Sequence, residues 1–147
     1  MTIVKKSFFV TAMFVFALFS FTYLVYANEQ KEAASAEITP FWAHTAAINA
    51  NLNINNSGRA VMSGTVFGNP GTTHIVVNAV LYRVNPNGTT TSVVSFNNIR
   101  GEGNFWFWER PHYVARGHDY RFTMYATVFR NGTSETVSMS SRIVRAN

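Results

Sequence analysis

Hydrophobic and polar residues alternate with a period of two along most of the chain after Ile38. Residues 46–54 (AAINANLNI) show this most clearly, because Ile48 and Leu52 share one parity and asparagines fill the other. Such alternation is typical of β-strands with one buried face. The same pattern predicts seven strands, at residues 46–54, 59–67, 74–84, 90–96, 104–108, 119–129 and 134–144.

Clusters of Gly, Asn and Pro separate these strands. The predicted turns and loops cover residues 55–58, 68–73, 85–89, 97–103 and 130–133. The pair Asn131–Gly132 favours a tight type I′ hairpin, since both residue types tolerate positive φ. Short strands with turn signals every few residues predict an all-β protein, an antiparallel immunoglobulin-like β-sandwich, with a small closed barrel as the alternative.

The stretch YVARGHDYRFTMYATV resembles the fibronectin type III pattern, in which a glycine-containing corner precedes a tyrosine at the start of the next-to-last strand. Gly117 would be the corner and Tyr120 the tyrosine, whose hydroxyl would bind the corner backbone. The chain also resembles a group of small secreted β-sandwich proteins from Gram-positive bacteria, through its ITP (38–40), GTT (71–73) and NGTSETV (131–137) motifs. That resemblance implies location and fold, and supplies no active site.

The first 27 residues have the pattern of a secretory signal peptide. Lys5 and Lys6 precede an uncharged, largely apolar run, and Val25 and Ala27 are the small residues that a signal peptidase recognises. We therefore predict cleavage after Ala27, a flexible leader at 28–37 and a single domain at 38–147. An uncleaved membrane anchor is the alternative, because the apolar run is long enough to span a bilayer.

The composition limits the chemistry of this secreted domain. The chain has no cysteine, so packing alone must hold it together. From residue 38 onward, nine arginines and no lysine face four acidic residues, which gives a formal charge of +5. Such a field favours an anionic cell-wall polymer, a glycan or a peripheral membrane contact, although solubility alone also explains it. We expect no nucleic-acid partner.

Catalytic groups are sparse. Glu102 and Glu109 flank the most aromatic strand and are the one pair that could act on a sugar, although we expect Glu102 to lie in a solvated loop and Glu109 to pair with an arginine. The four histidines lack metal-ligand spacing, and no thiol is available. We therefore predict a protein that is not an enzyme, with no cofactor and no metal.

The segment FWFW, residues 105–108, raises the main functional question, because a strand sends its two phenylalanines and its two tryptophans to opposite faces. In one interpretation the tryptophans fill the core, and the phenylalanines are covered by the PFW segment (40–42) or a sheet edge. In the other, an aromatic pair is exposed beside basic side chains and binds a ligand. The candidate binding residues are Trp106, Trp108, Arg110, His112, Arg116 and Tyr125.

These observations favour a secreted, non-catalytic binding protein that acts at the cell envelope or on an extracellular glycan. A cationic membrane-active or bacteriocin-like protein is the first alternative, because Trp and Arg also suit a membrane interface. An extracellular structural or matrix protein that assembles through exposed strand edges is the second.

Overall fold

Eight antiparallel strands form two sheets in residues 41–147, the part of the chain that the computed structural model describes. The strands are β1 (Thr45–Ile54), β2 (Arg59–Gly68), β3 (Thr72–Val84), β4 (Thr90–Glu102), β5 (Phe105–Tyr113), β6 (Asp119–Arg130), β7 (Thr133–Ser140) and β8 (Val144–Arg145). The predicted signal peptide and leader lie outside the described residues.

The strand order is that of an immunoglobulin or fibronectin type III sandwich. Sheet A has the order β1-β2-β5, and sheet B has the order β4-β3-β6-β7, with β8 also paired to β6. The predicted sandwich is therefore confirmed, and the pairing forms two sheets rather than one closed sheet.

Alternate residues of the central strands fill the space between the sheets. On β6, five residues of one parity are buried, from Tyr120 to Val128, and β3 buries Ile75, Val77, Ala79 and Leu81 in the same way. Phe122 and Met62 are the largest side chains that are completely buried. The chain has no cysteine, so burial of apolar surface, at about 25 cal/mol per Å², stabilises the domain without the help of a disulfide.

Two local predictions are confirmed. The Tyr120 hydroxyl donates a hydrogen bond of 2.8 Å to the Ala115 carbonyl, and Gly117 at the corner has a φ of 80°. Asn131 and Gly132 have φ values of 51° and 77° and form the two-residue turn between β6 and β7.

Strand boundaries differ from the prediction in three places. The predicted loop 97–103 belongs mostly to β4, because a bulge at Asn97–Asn98 opposite Asn78 absorbs the polar residues and the ladder then resumes. β5 continues through Pro111, which an edge strand tolerates. The predicted last strand is divided into β7 and β8.

The Glu135 carboxylate fastens the start of the described domain to β7. It accepts hydrogen bonds from the backbone N–H groups of Ala43, His44 and Thr45, and from the Thr45 hydroxyl, at 2.8–3.1 Å. Desolvation by burial raises the pKa of Glu135, but these four hydrogen bonds outweigh it, so the net pKa lies below the ordinary value.

Candidate binding face

Strand β5 places its tryptophans and its phenylalanines on opposite faces of sheet A. Trp106 is 4% exposed, whereas Phe105 and Phe107 are 50% and 58% exposed on the outer face of sheet A. The interpretation with the tryptophans inside is therefore the one that the structure shows.

The two tryptophans close the open side of the sandwich, where β5 and β4 are the edges of their sheets. The Trp108 ring centroid lies 5.0 Å from that of Phe96 on β4 and 6.1 Å from that of Phe122 on β6. Trp106 stacks on Trp108 at 6.4 Å. These indoles therefore belong to the core and not to a surface platform.

The expected cover over the two phenylalanines is not present in the described residues. Phe41, from the PFW segment, is fully exposed, and Trp42 packs against the core instead. Phe105 and Phe107 remain open on the outer face.

The other candidate residues lie on three separate surfaces. Arg110 and His112 share the parity of the tryptophans at the exposed edge of β5. Arg116 lies at one end of the sandwich, where its guanidinium donates a hydrogen bond of 3.1 Å to the Asn56 carbonyl. Tyr125 lies on the outer face of sheet B. The fold does not bring the six residues together, because strand parity and sheet membership separate them.

A third phenylalanine joins the exposed pair. Phe67 on β2 is the direct cross-strand partner of Phe105, is 46% exposed, and has its ring centroid 5.0 Å from that of Phe105, at an angle of 43°. We call Phe67, Phe105 and Phe107 the phenyl patch. The sequence contained a signal for Phe67, since the buried parity of Met62 and Val66 sends residue 67 outward.

A polar groove adjoins the phenyl patch on the same face. The register places Glu109 opposite Ser63, and Ser63 opposite Asn51, two residues along the strands from Phe107. Residues two apart on a strand are separated by about 6.8 Å. The groove encloses about 380 Å³ and is lined by Asn51, Leu52, Asn53, Val61, Ser63, Glu109, Ser141 and Arg142.

This polar groove offers hydrogen-bond donors and acceptors of several kinds. Amides and hydroxyls can both donate and accept, Glu109 accepts, and Arg142 donates. The outer face of sheet A therefore combines flat apolar rings with a neighbouring set of polar groups.

Of the two glutamates that flank β5 in the described domain, Glu102 has an arginine partner and Glu109 has none, which is the opposite of the expectation from sequence. Glu102 is the last residue of β4 and forms an ion pair of 2.7 Å with Arg100, a hydrogen bond that lowers the pKa of Glu102. Glu109 forms no ion pair within residues 41–147. Because Glu102 lies on sheet B and Glu109 on the outer face of sheet A, the two carboxylates do not face each other across one cleft.

The arginines are dispersed over the domain rather than clustered. Arg145 forms an ion pair of 3.2 Å with Asp119, and Arg130 donates to the backbone carbonyls of Pro70 and Ala43. In the described part of the chain, no group of three His, Asp or Glu residues could hold a metal ion. No helix long and apolar enough to cross a membrane occurs between residues 41 and 147.

Comparisons with known proteins add little to this picture. No family model and no curated protein matches the sequence. Among solved structures, the chain is similar to the alkylpurine DNA glycosylase AlkC of Pseudomonas fluorescens, bound to DNA containing an abasic-site analogue, with 20% identity and a TM-score of 0.36. That match covers 65% of this chain and 30% of the glycosylase chain.

Proposed function

We propose that this protein is a secreted, non-catalytic binding protein whose ligand is an extracellular glycan or a cell-envelope polysaccharide, held on the outer face of sheet A. One observation carries the proposal, namely the phenyl patch lying beside the polar groove. Contiguous exposed apolar surface on a small domain usually marks a contact site.

A neutral sugar chain fits this face by its chemistry. A pyranose ring presents C–H groups on its faces, which pack on flat aromatic rings, and hydroxyl groups around its rim. In the groove, amide and hydroxyl groups would pair with those hydroxyls, as orienting polar groups do in other ligand sites. Because the groove holds one acidic and one basic side chain, it has no excess charge that would select an anionic polymer.

The membrane-active alternative is less well supported. Proteins that adsorb to anionic bilayers combine an apolar face with a cluster of cations around it. Of the arginines, Arg100 and Arg145 are held in ion pairs, and Arg116 and Arg130 are bonded to backbone carbonyls. These four arginines lie on sheet B or at one end of the sandwich, so they do not add positive charge around the phenyl patch.

The matrix alternative requires open strand edges. Pro111 removes one backbone donor from β5, and Arg110 places a charge on the inward parity of the same strand. Both are features by which edge strands avoid pairing with other chains. These features disfavour assembly through β5, the edge next to the phenyl patch, and so favour ligand binding on the face there.

The experiment is a sedimentation assay with residues 28–147, the chain that the predicted cleavage after Ala27 leaves, so that the apolar signal segment cannot itself bind vesicles. Insoluble cell walls, chitin and cellulose serve as glycan probes, and anionic phospholipid vesicles serve as the membrane probe, each at low and high salt. We compare wild type with Phe107→Ala and Phe105→Ala. Phe41→Ala is the control, because it truncates a phenylalanine that is even more exposed and lies outside the phenyl patch.

We expect wild type and Phe41→Ala to sediment with at least one polysaccharide, and Phe107→Ala to lose most of this binding while its melting curve stays unchanged. Sedimentation with vesicles alone, or loss of binding in Phe41→Ala to the same extent, would overturn the proposal. Binding to no polysaccharide at all would also overturn it.

A further inference from the structure

A further exposed aromatic ring lies on the same face as the phenyl patch, at the far end of β5. Tyr113 is the last residue of this strand and is 70% exposed. β5 pairs with β2 in one unbroken antiparallel register from Phe105 to Tyr113, so every second residue of β5 points to the outer face of sheet A. Tyr113 therefore shares its face with Phe105 and Phe107.

The polar groove lies between the phenyl patch and Tyr113. On the outer face, two cross-strand rows separate Phe107 from Tyr113, namely Glu109–Ser63–Asn51 and Pro111–Val61–Asn53. All of these residues except Pro111 line the groove. The face thus presents aromatic rings, then polar groups, then another aromatic ring, in order along the strands.

The distance between the two groups of rings sets the length of a ligand that reaches both. Phe107 and Tyr113 are six residues apart on one strand, which separates their Cα atoms by about 20 Å at about 3.4 Å per residue. Asn51 and Asn53 on β1 lie beside this path, two strands from β5, or about 10 Å away. A disaccharide is too short to span the path, so a ligand that contacts both ends is a longer chain lying along β5.

Tyr113 has the chemical groups that a sugar unit requires. Its ring offers a flat apolar surface, and its hydroxyl can donate and accept a hydrogen bond. Arg59, its cross-strand partner on β2, is exposed on the same face and adds guanidinium donors at this end. A single exposed aromatic residue is common on protein surfaces, but Tyr113 extends a face on which rings already adjoin a polar groove.

We propose that the outer face of sheet A is an extended site for a linear, neutral oligosaccharide, in which Tyr113 holds the sugar units beyond the groove. The phenyl patch holds one end of the chain, and the groove holds the middle. This inference rests on the proposed function and adds to it that binding depends on chain length, with Tyr113 as the residue responsible. The site therefore selects unbranched glycans over compact, branched ones.

The test measures affinity against chain length by isothermal titration calorimetry with residues 28–147. The probes are soluble oligomers, from disaccharide to hexasaccharide, of the polysaccharide that sediments the protein. They are cello-oligosaccharides for cellulose, chito-oligosaccharides for chitin, and size-fractionated, peptide-free glycan strands for cell walls. The variants are Tyr113→Ala, which removes the ring, and Tyr113→Phe, which keeps it. Tyr125→Ala is the control, because Tyr125 is an exposed tyrosine on the outer face of sheet B.

We expect the affinity of wild type to rise with chain length up to the hexasaccharide. Tyr113→Ala should bind the hexasaccharide about ten-fold more weakly, the loss typical of truncating one important aromatic contact, and should bind the disaccharide as wild type does. Tyr113→Phe and Tyr125→Ala should retain the wild-type dependence on chain length. Since Tyr113 is exposed, all variants should keep the wild-type melting curve.

An affinity that stops rising at the disaccharide in wild type would overturn the inference, whichever variants fold. Tyr113→Ala that binds the hexasaccharide as tightly as wild type would do the same. If either result occurs while Phe107→Ala still loses binding, the glycan-binding function stands and only the extended site is wrong. If wild type binds neither the oligomers nor any polysaccharide, the proposed function and this inference both fail.

Discussion

The Tyr120 hydroxyl donates a hydrogen bond of 2.8 Å to the Ala115 carbonyl and thereby holds the connection between β5 and β6 against the end of the sandwich. The ring itself is almost completely buried. This one contact therefore ties the connection that follows β5 to β6, a central strand of sheet B.

Tyr120→Phe should destabilise the domain by about 1 kcal/mol, because the ring stays buried while the carbonyl of Ala115 loses its donor. Chemical denaturation measures this change in the free energy of unfolding. Tyr113→Phe is the control, since Tyr113 is 70% exposed and the same oxygen is removed there. Equal stability of the two variants would show that the corner contributes nothing.

Gly132→Val should destabilise the hairpin between β6 and β7 by about 1–2 kcal/mol or more. Gly132 has a φ of 77°, a region that β-branched residues rarely adopt. For a domain of this size the loss corresponds to a fall in Tm of several degrees, measured by circular dichroism.

Gly132→Asn is the control for this turn, because asparagine tolerates positive φ. It should lose much less stability than the valine variant. If both variants melt at the wild-type temperature, the conformation of the turn has no energetic importance.

The strand pattern and the two local motifs could be predicted because they depend on near neighbours in sequence. The parity of β6 and the Asn131–Gly132 turn are examples, since alternation and positive φ are properties of a few consecutive residues. The extent of β4 could not be predicted. Asn97 and Asn98 look like loop residues, and only their pairing opposite Asn78 shows that they form a bulge.

The candidate face was predicted less well than the fold. The sequence drew attention to β5 through its four consecutive aromatic residues but left open which pair of rings is buried. That choice depends on the register with β2, where Trp106 lies opposite the buried Val66 and Phe105 lies opposite the exposed Phe67. Contributions from residues distant in sequence, such as Asn51 on β1 and Arg142 between β7 and β8, become apparent only when the sheets are assembled.

Because the pKa of Glu135 is lowered in the folded state, we expect the domain to lose stability in acid. Its pKa is lower in the folded state than in the unfolded chain, so the unfolded state takes up the proton first and stability falls with pH. The stability that the Glu135 carboxylate contributes is complete above pH 4.5, the ordinary pKa of this side chain. It disappears as the pH falls through the lower pKa that Glu135 has in the folded state.

Glu135→Gln should therefore be less stable than wild type at neutral pH, and the difference should shrink below about pH 4.5. Urea denaturation at several pH values measures both quantities. Glu109→Gln removes the same charge from a side chain that holds no backbone N–H group, and it should keep the acid-dependent loss seen in wild type. A Glu135→Gln variant with the full wild-type pH dependence would contradict the argument.

Gly101→Ala should disturb the packing of β4 against β5. A Cβ atom on Gly101 would lie 2.7 Å from Cδ1 of Trp106, a ring that is itself buried. Overpacking of this kind costs about 1–3 kcal/mol. The double variant with Trp106→Ala tests the cause, because alanine lacks the Cγ and Cδ1 atoms that the new methyl group would meet, and the two losses should then be less than additive. Additive losses in denaturation experiments would show that the contact is not responsible.

We expect Arg110 and Pro111 to prevent the edge strand β5 from pairing with strands of other chains. Arg110→Thr combined with Pro111→Val removes the charge from the inward parity and restores a backbone donor on the free edge, so we expect the variant to self-associate through β5. Light scattering over a range of protein concentrations measures the apparent mass. Arg59→Thr is the matched control, since it removes an exposed arginine from the central strand β2, which has no free edge. An apparent mass that stays constant with concentration in the double variant would mean that these two residues do not protect the edge.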